Sequence, residues 1–504
     1  MRSTSRALWV GLAVMLSLAA WSCSLLENKF NQCAVDSDCD AGQTCAVDPQ
    51  NAKQHFCVLQ TIPPGCFGLP DAGIPPAYGD LTNGTLHFGL TSNFTSATSG
   101  PNITKVRNFN AIQLALDQIN AQQGTGNKTF VLHVCDTQGD LALLSKQVNW
   151  LINQWNVAAI IIPVSSQVTT AVTETTPAGV VVMSPTATSP AITTLGSQAT
   201  DPQTGVRLVW RTVPSDELQG RVISDLLLGR TVVNFTPLPA KVGIVYTLND
   251  PYGSGLFDVI QPRLAAAGVN VFGVEYEKGD AGSYANAVQL LAGFAPNASV
   301  VVAYPGDNAG IVNAAQMYPG LQVDAGHRWV FTDSAKDPSL YRAVSDPTQI
   351  ANAVGTDPAP DSGPAYGLFQ SGYESQPATL GVDPGIFAFT SYSFDAMYLL
   401  ALGADYAVGT DGTGAFTGAR VAEGLTRLSD AGTTQTKIPY LLGNSTDYAQ
   451  ARSDLQAGRT VYVAGASGPL GFNPLTGESL APIEIWGVAG NSFVQKAVVQ
   501  PPPF

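Results

Sequence analysis

The feature that most constrains this 504-residue chain is a regular alternation of short apolar runs with longer amphipathic stretches. The runs TFVLHVCD (129–136) and VAAIIIPV (157–164) are almost entirely apolar, which is typical of strands buried on both faces. Between them, residues 140–155 follow a helical period. Strands that alternate with helices indicate βαβ units with right-handed crossovers, so we predict an α/β fold with parallel sheets.

This alternation extends over most of the chain. We predict strands at 86–92, 129–136, 157–164, 179–185, 206–212, 241–247, 269–275, 299–304, 327–333 and 482–488, and helices at 105–122, 140–155, 168–178, 216–230, 254–267, 283–294, 307–317, 390–408, 417–430 and 447–457. Open parallel sheets bind ligands outside the carboxyl ends of their strands. The loops at those ends carry hydroxyls, backbone N–H groups, tyrosine rings and carboxylates: 163–167, 184–190, 249–255, 304–308 and 332–337. Such groups predict a site for a small polar ligand rather than bond-breaking chemistry.

Charge is scarce and predominantly negative in this sequence. Charged residues make up 12% of the chain, against about 25% in typical soluble proteins, and the formal net charge is −14. A chain with so few bases lacks the positive surface that nucleic acid requires, and a long coiled coil needs many more charges. The hydrophobic content of 45% argues against disorder for most of the chain. We therefore expect no nucleic-acid partner.

The N-terminus has the layout of a secretory signal. A basic start precedes the apolar run Ala7–Ala20, which is too short to span a bilayer. The run continues into Cys23 in a pattern that resembles a bacterial lipobox, in which the signal is cut before a cysteine that receives lipids, although Ala20 stands where leucine is usual. We predict a signal peptide over 1–22 and a lipid anchor on Cys23, which places the protein in the periplasm or at the cell surface. An ordinary secretory signal with a bystander cysteine is the alternative.

Six cysteines remain after Cys23, an even number that predicts disulfides in an exported chain. They are Cys33, Cys39, Cys45, Cys57, Cys66 and Cys135. The cysteine-rich segment 23–58 is too short to bury a core, so cross-links substitute for one, and their connectivity stays open. Zinc is disfavoured because CxxC spacing is absent, and the acidic run 36–40 lacks the glycine and glutamate positions of an EF-hand. Residues 59–84 are rich in proline and glycine, which predicts a semi-extended spacer.

Enzyme motifs are missing from the sequence. Only four histidines occur, and none has the HExxH spacing of a zinc hydrolase: His55, His87, His133 and His327. The chain has no GxSxG nucleophile elbow, P-loop or GxGxxG fingerprint. We predict no catalytic residue, no metal site and no cofactor.

Six stretches, in order along about 400 residues, resemble one family. They are LHVCDTQGD (132–140), VAAIIIPVSSQVTTAVTETTPAGVVVMSPTATSP (157–190), WRTVPSDELQG (210–220), KVGIVYTLNDPYGSGL (241–256), FTSYSFDAMYLLALG (389–403) and GPLGFNPLTGES (468–479). From about Leu86 to Val494 the chain is similar to type I periplasmic binding proteins of the branched-chain amino acid (Leu/Ile/Val)-binding kind.

This resemblance implies two α/β lobes joined by three passages of the chain, which close on a ligand like a hinged trap. We expect the passages near 213–216, 350–366 and 466–474. The expected bounds are 85–213 and 360–466 for the first lobe, and 214–359 and 467–497 for the second lobe.

The resemblance also implies ligand-binding residues. The positions that match the family's binding turns are Ser165, with Ser166 as the alternative, Thr186, Ala187, Thr188, Tyr252, Tyr304 and Asp333. The serine hydroxyl and the turn around Thr186 are expected to bind a ligand carboxylate. The two tyrosine rings are expected to cover the ligand, and Asp333 to pair with its α-ammonium group.

Two departures from the family pattern leave the ligand open. Ile162 stands where the family usually has glycine, and a Pro- and Gly-rich insertion at 355–387 is placed to cover or reshape the cleft. The resemblance implies a small zwitterionic ligand, an amino acid or an amide, and an ABC permease as partner. The alternative is a sensing or interaction lipoprotein that regulates another protein, which the cysteine-rich segment motivates.

Overall fold

The structure is a computed structural model. It describes residues 33, 43–48, 51–59, 62–79, 85–95, 100–359, 363–410, 416–428, 438–473, 476–479 and 481–500. The predictions for the signal peptide, for Cys23 and for Cys39 fall outside these residues. Among the helices of the described residues, none combines the length and the apolar character needed to cross a membrane.

An antiparallel hairpin lies near the N-terminus, formed by β1 (Gln43–Asp48) and β2 (Asn51–Leu59). Cys33 forms a disulfide with Cys45, with Cα atoms 5.7 Å apart. Cys57 lies opposite Cys45 in the hairpin and is also disulfide-bonded. The disulfides predicted for this cysteine-rich segment are therefore present at the cysteines that the structure describes.

The larger of the chain's two compact units spans Pro64–Val148 and Val157–Phe504 and contains both lobes. The strands from there on are β3 (Ala77–Tyr78), β4 (Leu86–Ser92), β5 (Phe130–Asp136), β6 (Ala159–Ile161), β7 (Val181–Ser184), β8 (Val209–Arg211), β9 (Lys241–Thr247), β10 (Asn270–Tyr276), β11 (Ala298–Val302), β12 (Arg328–Phe331), β13 (Val354–Pro358), β14 (Tyr440–Leu441), β15 (Val463–Gly465), β16 (Gly468–Pro469), β17 (Phe472–Asn473), β18 (Glu478–Ser479), β19 (Ile483–Ala489) and β20 (Ser492–Val499). The helices are α1 (Ile103–Ala121), α2 (Leu141–Trp155), α3 (Ser165–Thr175), α4 (Pro190–Gln198), α5 (Asp216–Leu227), α6 (Pro251–Ala266), α7 (Ala281–Phe294), α8 (Asp307–Ala315), α9 (Ser339–Ala343), α10 (Pro364–Ser375), α11 (Thr390–Thr410), α12 (Gly418–Thr426) and α13 (Ser445–Gln456).

The first lobe is built on a sheet with the strand order β17-β18-β8-β7-β6-β4-β5-β3. Strands β4 to β8 run parallel to their neighbours. Every residue of β5, β6 and β7 is buried, because helices cover both faces of the sheet and the strands are rich in valine and isoleucine. Helix α11 packs against α1, α12 and α13 and completes the core of this lobe.

The second lobe is built on a sheet with the strand order β10-β9-β11-β12-β13-β19-β20. Strands β9 to β13 are parallel, and the β19–β20 hairpin continues the sheet in the antiparallel sense. Trp329 and Trp486 are fully buried in its core. Both lobes therefore have mainly parallel sheets with flanking helices, which confirms the predicted two-lobed α/β fold.

The chain passes between the lobes between β8 and α5, between β13 and α10, and between β18 and β19. The third passage follows Ser479, later than the 466–474 expected from the sequence. The reason is that β18 pairs with β8 and so extends the first sheet. A buried ion pair between Arg211 and Glu478 joins these two strands.

Residues 64–79 lie along the edge of the first sheet, within the stretch 59–84 for which the sequence predicted a spacer. Strand β3 pairs with β5, and a disulfide joins Cys66 to Cys135 of β5 with Cα atoms 4.1 Å apart. The side chain of Gln147 donates a hydrogen bond of 2.8 Å to the carbonyl of Pro64. The segment thus covers an edge strand that would otherwise expose unpaired backbone groups.

The insertion at 355–387 is largely regular, because it contains β13 and α10. Helix α10 packs on α1 and α11 of the first lobe, with Phe369 and Tyr373 fully buried. Arg107 of α1 donates a hydrogen bond of 2.8 Å to the carbonyl of Ala378. Most of the insertion therefore extends the first lobe, and the residues that reach the cavity described below follow directly after it.

Candidate ligand-binding site

A cavity of about 350 Å³ lies between the two lobes, at the carboxyl ends of strands from both sheets. The first lobe contributes residues that follow β4, β5, β6 and β7, and the second lobe contributes residues that follow β9, β10, β11 and β12. Its size is at the lower end of the range of about 300–1,000 Å³ that is usual for small-molecule sites. The position is the one that parallel sheets predict for a ligand.

The first-lobe wall consists of two turns that hydrogen bonds hold together. Ser165 begins α3, is 4% exposed, and its hydroxyl accepts a long hydrogen bond of 3.4 Å from the N–H of Ser189. Ser184 donates to the carbonyl of Ile162 (2.6 Å) and accepts from the N–H of Ala187 (3.1 Å). These bonds fix the turns that present Ser165 and Thr186 to the cavity.

Arg211 supports the second of these turns from behind. Its guanidinium is 1% exposed and donates to the carbonyls of Ala187 (3.1 Å) and Ser189 (2.9 Å). It also forms the ion pair with Glu478. Arg211 was not among the predicted site residues, because a lone arginine at a strand end carries no local motif.

Lys105 also belongs to this wall. It lies in the first turn of α1, and its ammonium is 3.3 Å from Oγ1 of Thr186 and 3.4 Å from the carbonyl of Pro163. Burial and repulsion from Lys278 lower the pKa of Lys105 to about 8, while attraction to Asp333 opposes that shift. A cation therefore lies beside the hydroxyl that the sequence assigns to a ligand carboxylate.

The second-lobe wall centres on a carboxylate and a ring. Tyr252 lies in the first turn of α6, which Asp250 caps, because the N–H of Tyr252 donates to the carboxylate of Asp250 (2.8 Å). The hydroxyl of Tyr252 is 2.6 Å from Oδ1 of Asp333 and 2.7 Å from Oγ1 of Thr332. Gln219 donates to the same oxygen of Asp333 at 3.2 Å.

The pKa values of these two side chains are both shifted upwards. Burial, the negative charge of Asp333 and the hydrogen bond raise the pKa of Tyr252 well above its usual value, so the phenol stays protonated. Burial raises the pKa of Asp333, and the hydrogen bonds from Tyr252 and Gln219 oppose the shift. Asp216 is fully buried, and burial together with the charge of Asp333 raises its pKa well above the usual value.

A second ring and a second lysine lie beside Tyr252. The hydroxyl of Tyr304 donates to Asp250 at 3.0 Å, and its ring centroid is 5.7 Å from that of Tyr252. The ammonium of Lys278, in the loop after β10, lies 3.6 Å from the centroid of the Tyr304 ring. Asp307, at the start of α8, accepts hydrogen bonds from Tyr276 (3.1 Å) and Tyr284 (2.6 Å).

Lys336 and Asp337 complete this wall. Lys336 is 6% exposed and pairs with Asp357 (2.9 Å) and Glu484 (3.1 Å). Burial opposes the charged form, yet the two carboxylates raise the pKa of Lys336 above its usual value. Asp337 accepts a hydrogen bond from Thr104 of the first lobe, so the two lobes are linked directly at the cavity.

A further contact between the lobes and an unusual backbone conformation lie beside the cavity. The hydroxyl of Ser189 donates to the carbonyl of Pro251 at 2.5 Å, which joins the turn after β7 to the start of α6. Phe389 lines the cavity with a φ of 70°, a region that side-chain-bearing residues rarely adopt. Such conformations concentrate at ligand sites, where the surrounding structure holds them.

The structure brings five of the eight predicted binding residues to the cavity wall: Ser165, Thr186, Tyr252, Tyr304 and Asp333. Ser166 lies in α3 away from the cavity, and its carbonyl accepts hydrogen bonds from Thr169 (3.0 Å) and Thr170 (2.9 Å). Ala187 and Thr188 are buried behind the wall, where the carbonyl of Thr188 accepts from the N–H of Asp216 (2.8 Å).

The remaining departures concern Ile162 and the lysines. The side chain of Ile162 is fully buried in the sheet and does not line the cavity. The replacement of the family's usual glycine by isoleucine therefore does not crowd the ligand position. Sequence reasoning missed Lys105, Lys278 and Lys336 as lining residues. Lys336 lies inside the quoted loop 332–337, and Lys278 follows β10 directly, so the strand-end rule contained a signal for both.

The lining groups suit the binding of a polar ligand. The wall offers hydroxyls, rings, carboxylates and ammonium groups. Among the described residues, no cluster of three or more histidine, cysteine, aspartate or glutamate side chains is able to hold a metal ion. The arrangement is complementary to a small polar molecule that carries charge.

Comparison with known proteins also indicates a ligand-binding protein. The model of the "Receptor family ligand binding region" matches residues 107–491. The chemotactic signal transduction system substrate-binding protein BasB of Halobacterium salinarum is 27% identical over 250 residues, which cover 49% of this chain and 56% of BasB. The match thus spans little more than half the length of that relative.

Solved structures resemble the chain over most of its length. The leucine-binding protein LivK of Thermotoga maritima aligns with a TM-score of 0.63 and 17% identity, covering 83% of this chain and 99% of LivK. The branched-chain amino acid transporter protein LivJ of Streptococcus pneumoniae, solved with isoleucine, gives 0.61 and 18%, covering 83% and 100%. An ABC-transporter solute-binding protein of Rhodopseudomonas palustris with 3,4-dihydroxybenzoic acid gives 0.59 and 16%, covering 82% and 97%. At these identities the likeness concerns the fold.

Proposed function

The chain belongs to the receptor ligand-binding region family, and from that premise we propose that it is a lipid-anchored extracytoplasmic solute-binding protein. In this proposal the two lobes close on a small amino-acid-like ligand, and the protein delivers that ligand to the permease of an ABC transporter. The role is binding, and no chemical step is involved.

The observation that carries the proposal is the cavity to which both sheets direct their strand ends. Hydroxyls and Lys105 on the first lobe are complementary to a carboxylate, and Asp333 on the second lobe is complementary to an ammonium group. Because the two charges of an amino acid then contact different lobes, the ligand favours the closed arrangement over the open one. A differential affinity of a few kcal/mol is enough to shift such an equilibrium.

Each residue has a separate role in this proposal. Ser165 binds the carboxylate as a neutral donor, with Lys105 beside it. The hydroxyl of Thr186 donates to the carbonyl of Pro163 and accepts from Lys105, so its role is to hold the ammonium group in place. Tyr252 holds Asp333 in place through its hydroxyl and covers the ligand with its ring, together with Tyr304. Exclusion of water by the rings strengthens the charge-assisted hydrogen bonds.

A thermal-shift screen of the purified full chain against amino acids, amides and aromatic acids tests this function. A ligand at 100 times its dissociation constant adds about 2.7 kcal/mol to the free energy of unfolding. We expect at least one zwitterion to raise the melting temperature, with no effect of matched uncharged amides. The absence of a shift with every zwitterion would overturn the amino-acid assignment.

The lipid anchor requires a separate test. Cells that express the protein are labelled with an alkyne fatty acid and separated into membrane and soluble fractions. We expect label and membrane association in the wild type, and loss of both in Cys23→Ser. An unlabelled, soluble wild-type protein would favour the ordinary secretory signal.

Sensing is the second candidate function, and the similarity to BasB, a substrate-binding protein of a chemotactic signal transduction system, favours it. Here the ligand-bound form regulates a partner protein instead of supplying a permease. A strain that lacks the gene distinguishes the two. Loss of ligand uptake with an intact behavioural response supports transport, and the reverse result supports sensing.

A further inference from the structure

The cavity has an unusual share of the chain's positive charge. The protein has ten lysines and a net charge of −14, yet three of the lysines line one cavity. A strongly acidic protein repels anions at long range, so a local concentration of lysines is where an anion is able to bind. The three lysines differ in what neutralises them.

Lys336 already has its counter-ions, since Asp357 and Glu484 lie 2.9 and 3.1 Å from its ammonium. Lys105 and Lys278 are attracted to carboxylates only at longer range, Lys105 to Asp333 and Lys278 to Asp307 and Asp250. Within the part of the chain that the structure describes, no carboxylate lies within 4.0 Å of either ammonium group. Two cations without ion-pair partners therefore face the cavity.

These two cations come from opposite lobes. Lys105 reaches the cavity from α1, beside Thr186, and Lys278 reaches it from the loop after β10, over the ring of Tyr304. The two ammonium groups lie close enough to repel each other, since the charge of Lys278 helps to lower the pKa of Lys105. An anionic ligand placed between them removes this repulsion and draws the lobes together.

The opposite charge is also present without a partner. Asp333 is 2% exposed, lines the cavity and is hydrogen-bonded only by neutral groups in the contacts described above. Asp216 is buried close to Asp333, and the repulsion between the two carboxylates makes ionisation of both more costly. An ammonium group beside Asp333 offsets this cost.

We propose that the ligand carries two carboxylates, one beside Lys105 and Thr186 and the other beside Lys278, as in a small acidic amino acid. This inference rests on the proposed function and specifies its substrate class. Two classes of ligand carry two carboxylates: acidic amino acids, and diacids without an amino group. Asp333 favours the form with an ammonium group.

The test is calorimetric titration of the full chain with three matched sets of ligands. The sets are glutamate and aspartate, their neutral isosteres glutamine and asparagine together with leucine, and the amino-free diacids glutarate and succinate. We expect an acidic amino acid to bind at least tenfold more tightly than its amide isostere and than the diacid of the same length. If a diacid binds as tightly as the amino acid, the ligand is still a dicarboxylate, but its class is an organic acid rather than an amino acid.

Variants identify the groups that are responsible. Lys278→Met is expected to reduce the preference for the acid over its amide by about tenfold, because only the acid has the second carboxylate. Lys105→Met is expected to weaken the acid and the amide equally, by about tenfold, because both have the carboxylate beside Lys105. Lys241→Met is the control, because Lys241 also lies over a ring, that of Phe294 at 5.2 Å, but on the surface away from the cavity. It is expected to leave the preference unchanged.

The outcomes separate this inference from the proposed function. If glutamine, asparagine or leucine binds as tightly as the acids, the dicarboxylate inference is overturned and the solute-binding function stands. If none of the ligands binds, the dicarboxylate inference is overturned, and the wider thermal-shift screen decides the proposed function separately. The ratio of acid to amide affinity in the wild type decides the matter even if a lysine variant fails to fold.

Discussion

The two walls of the cavity are built in different ways. The first-lobe wall consists of turns whose side chains bond to backbone atoms, such as Ser184 to the carbonyl of Ile162 and Arg211 to the carbonyl of Ser189. The second-lobe wall consists of side chains that bond to one another, with Tyr252, Asp333 and Gln219 in one network. One wall is fixed by the backbone, and the other by a network of rings and carboxylates.

This difference indicates a division of labour. A wall fixed by the backbone keeps its shape when the lobes are apart, so it is suited to the first contact with a ligand. A wall fixed by side chains responds to any change in charge, because Tyr252 and Asp333 shift each other's pKa and Gln219 lowers that of Asp333. We therefore expect substitutions in the second-lobe wall to affect affinity more than substitutions in the first-lobe wall.

The largest effect is expected for Asp333→Asn. Removal of the buried negative charge leaves the ligand ammonium unpaired, which typically costs about 2–5 kcal/mol, and about 2.7 kcal/mol corresponds to 100-fold. We expect the dissociation constant to rise at least 100-fold in a calorimetric titration. Asp324→Asn, at an exposed position of the same lobe, is the control and should leave it unchanged. A rise of less than tenfold in the dissociation constant would show that Asp333 does not pair with the ligand ammonium group.

The fold was largely predictable because its signal is periodic. Buried parallel strands such as β5 and β9 are nearly continuous runs of apolar residues, and the helices between them repeat their apolar positions at helical spacing. Most of the strands that sequence reasoning missed are short or lie at sheet edges, as β3, β17 and β20 do, but the central strand β13 was missed as well. Only their neighbours in space define such strands, so no local pattern identifies them.

The site was predictable only in part, for a related physical reason. Ser165, Thr186 and Tyr252 follow strand ends directly, so the parallel-sheet rule brings them together. Lys105 begins a helix after a long loop, and the path of that loop, rather than the periodicity, decides where its ammonium lies. Ser166 shows the limit of the rule, because the turn of a helix separates adjacent serines by about 100°.

Each lobe contains a buried histidine that makes its stability depend on pH. Burial lowers the pKa of His133 in the first lobe to about 3 and that of His327 in the second lobe to about 4. Since the unfolded pKa is about 6.5, each neutral histidine gives stability that is complete above pH 6.5 and is lost as the pH falls towards the folded value. Each histidine is expected to cost about 2 kcal/mol between pH 7.5 and pH 5.

Urea unfolding at the two pH values tests this prediction. His133→Gln and His327→Gln are each expected to reduce the pH-dependent loss of stability by about 2 kcal/mol. His55→Gln, at a half-buried histidine of the N-terminal hairpin, is the control and is expected to leave the pH dependence unchanged. An unchanged pH dependence in either variant would show that the histidine in that lobe is not the group that titrates.

A smaller effect is expected for Tyr252→Phe. The phenol is the shortest hydrogen-bond donor to Asp333 at 2.6 Å, and its loss leaves the carboxylate with one neutral side-chain donor, Gln219. A hydrogen bond to a charged group contributes about 1.5–3 kcal/mol, so we expect affinity to fall about tenfold. Tyr246→Phe is a control in the same lobe, because the ring of Tyr246 stacks on Phe257, away from the cavity. Equal affinities of the two variants would show that the second-lobe network does not act on the ligand.

The smallest effect is expected in the first-lobe wall, for Ser165→Ala. Its hydroxyl is one of several polar groups around the carboxylate position, and its bond from the N–H of Ser189 is long, at 3.4 Å, so the turn loses little when it is removed. A neutral hydrogen bond contributes about 1 kcal/mol, so affinity should fall about fivefold. Ser166→Ala is the matched control, since this neighbouring serine does not line the cavity. A larger loss for Ser165→Ala than for Tyr252→Phe would reverse the ranking of the two walls, because the backbone-fixed wall would then supply more of the binding energy than the side-chain network.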